Sequence, residues 1–173
     1  MPQRTDIFDL GRLGLSSGEG RRLDLHTGLG PFHYGGQAYA VEPELIPVQL
    51  DVSRTTASGY ALRLRFGVHL SGPCMRCLEP ADPSFEVDAR EVHQPTGGEE
   101  LVSPYINTDE ELDLAGWTRD ALALELPAQI TCREDCLGLC AQCGANLNED
   151  PGHTHEAAVP DARWAKLSEL RFD

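Results

Sequence analysis

From Tyr60 to Ser71 the chain alternates without a break: Leu62, Leu64, Phe66, Val68 and Leu70 fall on one side, and Ala61, Arg63, Arg65, Gly67 and His69 on the other. A period of two over this length specifies a β-strand with one face buried, because a helix would scatter the same apolar residues around its circumference. Everything else must supply that strand with neighbours. Leu45 to Thr56 alternates Val48, Leu50 and Val52 against Gln49, Asp51 and Ser53, and Ser84 to His93 opposes Phe85, Val87 and Ala89 to Glu86, Asp88 and Arg90. Ala57, Ser58 and Gly59 suit a hairpin connection, so these segments predict an antiparallel meander. Arg21 to Thr27 adds a short strand with Leu23 and Leu25 on one face.

Helical signals come later. Asp113 can cap a helix from about Leu114 to Leu126, with Leu114, Trp117, Ala121 and Leu124 as its apolar stripe, and Pro127 stops it. Asp161 can cap a second helix, Ala162 to Arg171. The spacing therefore predicts an α+β fold, an antiparallel β-sheet meander with two helices and a cysteine zinc-knuckle site. Its parts are a glycine-rich N-terminal segment (1–44) packing on the domain, a core of sheet, helix and cysteines (45–143), a linker (144–160) and a C-terminal helix (161–173). At 173 residues a chain buries roughly 70% of its unfolded surface and folds without cross-links.

Six cysteines therefore need a chemical reason. They fall into two groups, Cys74 and Cys77 in GPCMRCLEP and Cys132, Cys136, Cys140 and Cys143 in TCREDCLGLCAQCG. No apolar run reaches membrane-span length and MPQRTDIFDLGRLG lacks a signal-peptide core, so a cytoplasmic location is expected, where thiols serve as metal ligands or catalysts more than as disulfides. Two C-x-x-C knuckles supply four sulfurs for a tetrahedral zinc. The first assignment is Cys74, Cys77, Cys140 and Cys143, with Cys132 and Cys136 as the competing pair. Gly144 after Cys143 suits a knuckle better than Leu78 after Cys77. His153 and His155 could join Cys132 and Cys136, against a reading as ordinary solvated histidines. Neither knuckle opens a helix as a thioredoxin-like thiol does, and no nucleotide-binding, hydrolase or zincin motif is present. No catalytic residue is assigned, so the reading is not an enzyme; the alternative is a cysteine-based redox or metal-dependent enzyme.

The formal net charge is −14, and it is unevenly distributed. Residues 1–78 carry eight basic and seven acidic side chains, the remainder six and twenty-one. From Val52 to Leu78 there is no acidic residue, while Arg54, Arg63, Arg65 and Arg76 are present. Any contact with RNA phosphates would rest on those four, and the acidic half would suit a basic protein partner.

The segment LAGWTRDALALELPAQITCREDCLGLCAQCGANLNED, the upstream C-x-R-C at Cys74 to Cys77 and the terminal RWAKL together resemble the YceD family of large ribosomal RNA subunit accumulation proteins. The resemblance implies a non-enzymatic ribosome biogenesis factor promoting 23S rRNA accumulation or processing, with a ribosomal RNA precursor or a basic large-subunit ribosomal protein as partner. No membrane and no small-molecule substrate are expected as partners.

Overall fold

The computed structural model describes residues 2–155. Its elements in chain order are β1 (Ile7–Asp9), β2 (Gly20–Thr27), β3 (Phe32–Tyr34), β4 (Gln37–Glu42), β5 (Ile46–Arg54), β6 (Tyr60–Pro73), β7 (Pro80–Ala81), β8 (Ser84–His93), β9 (Glu111–Asp113) and α1 (Leu114–Glu125). The chain divides into two compact units, residues 1–136 and 137–173.

In the first unit β6 is the hub, as its alternation predicts. Along one edge β8 pairs antiparallel from Tyr60↔His93 to His69↔Ser84. Along the other, β5 pairs with Tyr60 to Arg65 and β4 takes over at His69 to Ser71. Outside β5 lies β2, in register from Gly20↔Ser53 to Thr27↔Ile46. Leu62, Leu64, Phe66, Val68 and Leu70 are all buried, together with Val48, Leu50 and Val52 of β5.

The N-terminal 44 residues are built into this body rather than laid over it. They supply β2 and β4 to the sheet, and β1 pairs with β9 immediately before the helix. Their glycines mask this in the sequence, because strands of three to eight residues between turns carry too few alternations to read. The expected loop at Ala57 to Gly59 is a short 3-10 turn, Thr56–Ser58.

Asp113 caps α1 as expected, its carboxylate accepting from Gly116 N at 2.8 Å. The buried stripe is Leu114, Trp117, Thr118, Ala121 and Leu122, an i, i+3, i+4, i+7, i+8 face packed toward β8 and β1. Leu124, counted in the expected stripe, falls outside this face and is 86% exposed. Among the described residues α1 is the one α-helix; the second helix expected from Ala162 lies outside them. No helix among them is long and apolar enough to cross a membrane.

Candidate metal centres

The first C-x-x-C forms the turn of a hairpin. β6 ends at Pro73, β7 begins at Pro80, and the knuckle closes between them: Leu78 N donates to Cys74 O (2.9 Å) and Cys74 N to Glu79 O (2.7 Å). After α1 the chain passes Pro127, whose carbonyl accepts from Tyr34 Oη at 2.9 Å. It then runs alongside this turn. Ile130, 1% exposed, anchors the segment, and Met75 N donates to Ile130 O at 2.8 Å. That contact brings in Cys132 and Cys136.

The four thiols of Cys74, Cys77, Cys132 and Cys136 lie within 4.8 Å of one another. Cys74 Sγ is 3.8 Å from Cys136 Sγ, and Cys77 Sγ is 3.6 Å from Cys132 Sγ. A tetrahedron of sulfurs about 2.3 Å from a zinc ion has edges of roughly 3.8 Å, so this donor set fits the metal in type, number and spacing. Cys74, Cys77 and Cys136 are buried. Burial raises the Cys74 thiol, but backbone N–H groups, chiefly those of Cys77 and Arg76, outweigh it and bring the group to about 6. Burial pushes Cys77 up to about 12 and also raises Cys132.

The second C-x-x-C uses the same turn. Gly144 N donates to Cys140 O and Cys140 N to Ala145 O, both at 2.8 Å. Its companions are histidines of its own unit: Cys140 Sγ is 3.1 Å from His155 Nε2, Cys143 Sγ is 3.1 Å from His153 Nε2, and the two Nε2 atoms are 2.9 Å apart. These four groups also fall within 4.8 Å of one another. Backbone N–H groups of Gln142 and Cys143 lower Cys140 to about 6.

Spacing therefore ranks the partners of Cys74 and Cys77 in the wrong order. The competing pair, Cys132 and Cys136, converges on them, while Cys140 and Cys143 meet His153 and His155. The expected linker from residue 144 contains these two histidines and, up to His155, forms part of the knuckle. The exchange has a local cause: a Met75–Ile130 backbone contact and a buried isoleucine deliver Cys132, and no sequence period encodes either. A signal for the histidines was available. Each knuckle needs two further donors, and His-x-His is the nearest pair downstream of Cys143.

The two turns also differ from expectation in one residue. Leu78 occupies the left-handed conformation (φ 65°) that Gly144 occupies in the second knuckle (φ 75°). A non-glycine residue there costs roughly 1–2 kcal/mol. Leu78 is 58% exposed, so contacts made by its side chain do little to offset that cost.

The arginine residues are largely engaged. Arg63 donates to Asp88 (2.7 Å) across the β6–β8 pair, and Arg65 to Asp51 (2.7 Å) across β6–β5. Arg54 shares the parity of Leu50 and Val52, which puts it on the opposite face of the sheet from Arg63 and Arg65. There it donates to Glu110 (2.9 Å) and lies 4.3 Å over the Tyr60 ring. Arg76 is exposed on the first knuckle. The four therefore form no single face.

An antiparallel sheet closed by an all-cysteine knuckle, followed by a separate knuckle of two cysteines and two histidines, defines a class of small β-rich proteins with metal-type centres. Residues 62–171 match the family model described as large ribosomal RNA subunit accumulation protein YceD, and the chain belongs to that family. It is 34% identical to the uncharacterized protein Rv2926c of Mycobacterium tuberculosis, over 98% of this chain and 81% of the relative. The uncharacterized protein ML1660 of Mycobacterium leprae is 35% identical over 56% of this chain and 46% of its own length. The chloroplastic large ribosomal RNA subunit accumulation protein YCED homolog 1 of Zea mays is 32% identical over 44% of this chain and 22% of its own. No solved structure matches the chain.

Proposed function

We propose that this protein is a cytoplasmic, non-enzymatic ribosome biogenesis factor that promotes accumulation of 23S rRNA, and that Cys74, Cys77, Cys132 and Cys136 hold a structural zinc ion within it. The family match over residues 62–171 carries the process. The zinc reading rests on four sulfurs within 4.8 Å, three of them on buried cysteines. Four protein thiolates close the coordination shell, and a catalytic zinc needs an open position. Zinc there clamps the β6–β7 turn to the segment that follows α1, a cross-link between stretches 55 residues apart at Cys77 and Cys132.

For the partner, ion pairing favours a basic ribosomal protein over RNA. Phosphates approaching Arg63 or Arg65 must displace Asp88 or Asp51, and Arg54 faces away. Residues 79–173 carry twenty-one acidic side chains against six basic ones, an excess that attracts a basic partner, and such steering weakens with salt.

Depletion of the protein, followed by measurement of 23S against 16S rRNA, tests the process: a selective fall of 23S is expected, and an unchanged ratio overturns it. Affinity capture with and without ribonuclease tests the partner. Retention of a basic ribosomal protein after digestion is expected. Complete loss on digestion, with a log–log salt slope of about −3 for four phosphate contacts, would return the role to the arginines.

A further inference from the structure

We infer that Cys140, Cys143, His153 and His155 form a second, separate metal site, taking a single tetrahedral zinc-class dication, and that this ion is what folds the C-terminal knuckle.

The donor set comes first. Two thiols and two imidazole nitrogens converge, each sulfur against a different histidine at 3.1 Å, with the Nε2 atoms 2.9 Å apart. A cation at the centre is attracted to all four donor atoms at once, which accounts for their joint convergence. The interleaving of Cys with His also selects among metals. A two-iron cluster with mixed ligands puts both histidines on one iron and both cysteines on the other, which separates the pairs. Crosswise contact fits one ion, and an S2N2 tetrahedron is a zinc preference.

The second observation concerns what else could hold this segment. Among residues 137–155 no apolar side chain is buried, and Leu137 is 47% exposed. The turn is nonetheless defined by Leu147 N to Gly138 O (2.9 Å), Leu137 N to Asn148 Oδ1 (2.8 Å) and the Leu139↔Asn146 bridge. Hydrogen bonds to exposed groups exchange against water and contribute little net stability. A segment of this size without a core needs a staple, and metal coordination is the staple its side chains offer. His153 and His155 are close in sequence, but residues two apart share a face of an extended chain, so the short spacing is no obstacle.

The site is independent of the four-cysteine reading and is tested so that the two can fail separately. Zinc content is measured on the full chain, purified under reducing conditions, as wild type, Cys132→Ser and the double variant His153→Ala/His155→Ala. Two equivalents in the wild type and one in each variant support both sites. One equivalent in the wild type that the histidine variant abolishes supports this inference and removes the four-cysteine site. One equivalent that the histidine variant keeps overturns the inference and leaves the four-cysteine site standing, and none overturns both. Cobalt substitution gives a second readout: the spectrum of the histidine variant should retain only the all-sulfur component, and an S2N2 component that persists there overturns the assignment. Amide exchange should show residues 137–155 of that variant losing protection while β5, β6 and β8 keep theirs.

Discussion

The two C-x-x-C knuckles share a turn and differ in almost everything around it. Both close with an N–H from the fourth residue onward to the first cysteine's carbonyl, and both place a left-handed residue after the second cysteine. The first sits against a sheet whose core includes Leu64, Leu70 and Ile130, none more than 1% exposed. The second has no buried apolar side chain among its described residues. The same chemical module thus has two physical jobs. On the metal-site proposals, an ion in the first unit would add a clamp to a body that already buries a core, and an ion at the second knuckle would stand in for the apolar burial that residues 137–155 lack.

The largest expected effect follows from that contrast. Stripping metal with a strong chelator under reducing conditions should abolish amide protection across residues 137–155 while the first unit still melts cooperatively at a lower temperature. Structural zinc is worth about 10–16 kcal/mol where folding depends wholly on it. Loss of both units together would break the comparison.

Leu64→Ala tests the other side. Emptying a fully buried position in the hub strand should cost about 2–5 kcal/mol in urea unfolding of the first unit. Zinc retention at the second knuckle should be unchanged.

A smaller effect concerns acid stability of the first unit. Burial lowers the His93 imidazole below 6.5, so the folded state holds it neutral, with Ser103 N donating to Nδ1 at 3.3 Å. The unfolded chain binds the proton first. That contribution is present above pH 6.5 and is lost as pH falls through the folded value. Glu110 behaves likewise from 4.5 downward: Arg54 and Tyr60 donate to it and hold its carboxyl low against the opposing effect of burial. Tyr60 marks the alkaline limit. Burial, followed by Glu110, raises it to about 12, so its contribution is present below pH 10 and fades as pH rises toward that value. In urea midpoints, the difference between wild type and His93→Phe should change between about pH 7 and 5, the range in which an ordinary imidazole titrates, and a constant difference would refute the assignment.

The smallest effect exchanges the left-handed residues. Leu78→Gly should change the first unit's stability by no more than about 1 kcal/mol in its favour, since relief of strain is partly cancelled by glycine's greater freedom when unfolded. A Cβ added at Gly144 meets no atom within 4 Å, so Gly144→Ala imposes only the backbone cost of its left-handed conformation. With no buried apolar side chain among residues 137–155, the second knuckle should show that cost directly as weaker zinc affinity.

Local periodicity made much of the sheet legible. β8 runs from Ser84 to His93 as its alternation predicts, and β6 and β5 differ from expectation by at most two residues at each end. Asp113 and Pro127 likewise mark the helix limits, because capping and the missing proline N–H act within one turn. The short strands β1, β3, β4, β7 and β9 were not legible, since two to six residues carry no reliable period and their pairing is decided by distant partners.

By itself, then, the sequence determined the hub strand, the helix and the two C-x-x-C pairs, all of which depend on residue identity at fixed local spacing. Only the tertiary structure decided which donors meet. Cys132 reaches Cys77 because a buried Ile130 and a backbone hydrogen bond to Met75 carry the chain there, and Arg54 turns from the other arginines because its strand's pleat points it toward Glu110. Such convergence depends on where separate segments lie in space, a property that spacing along one chain does not contain.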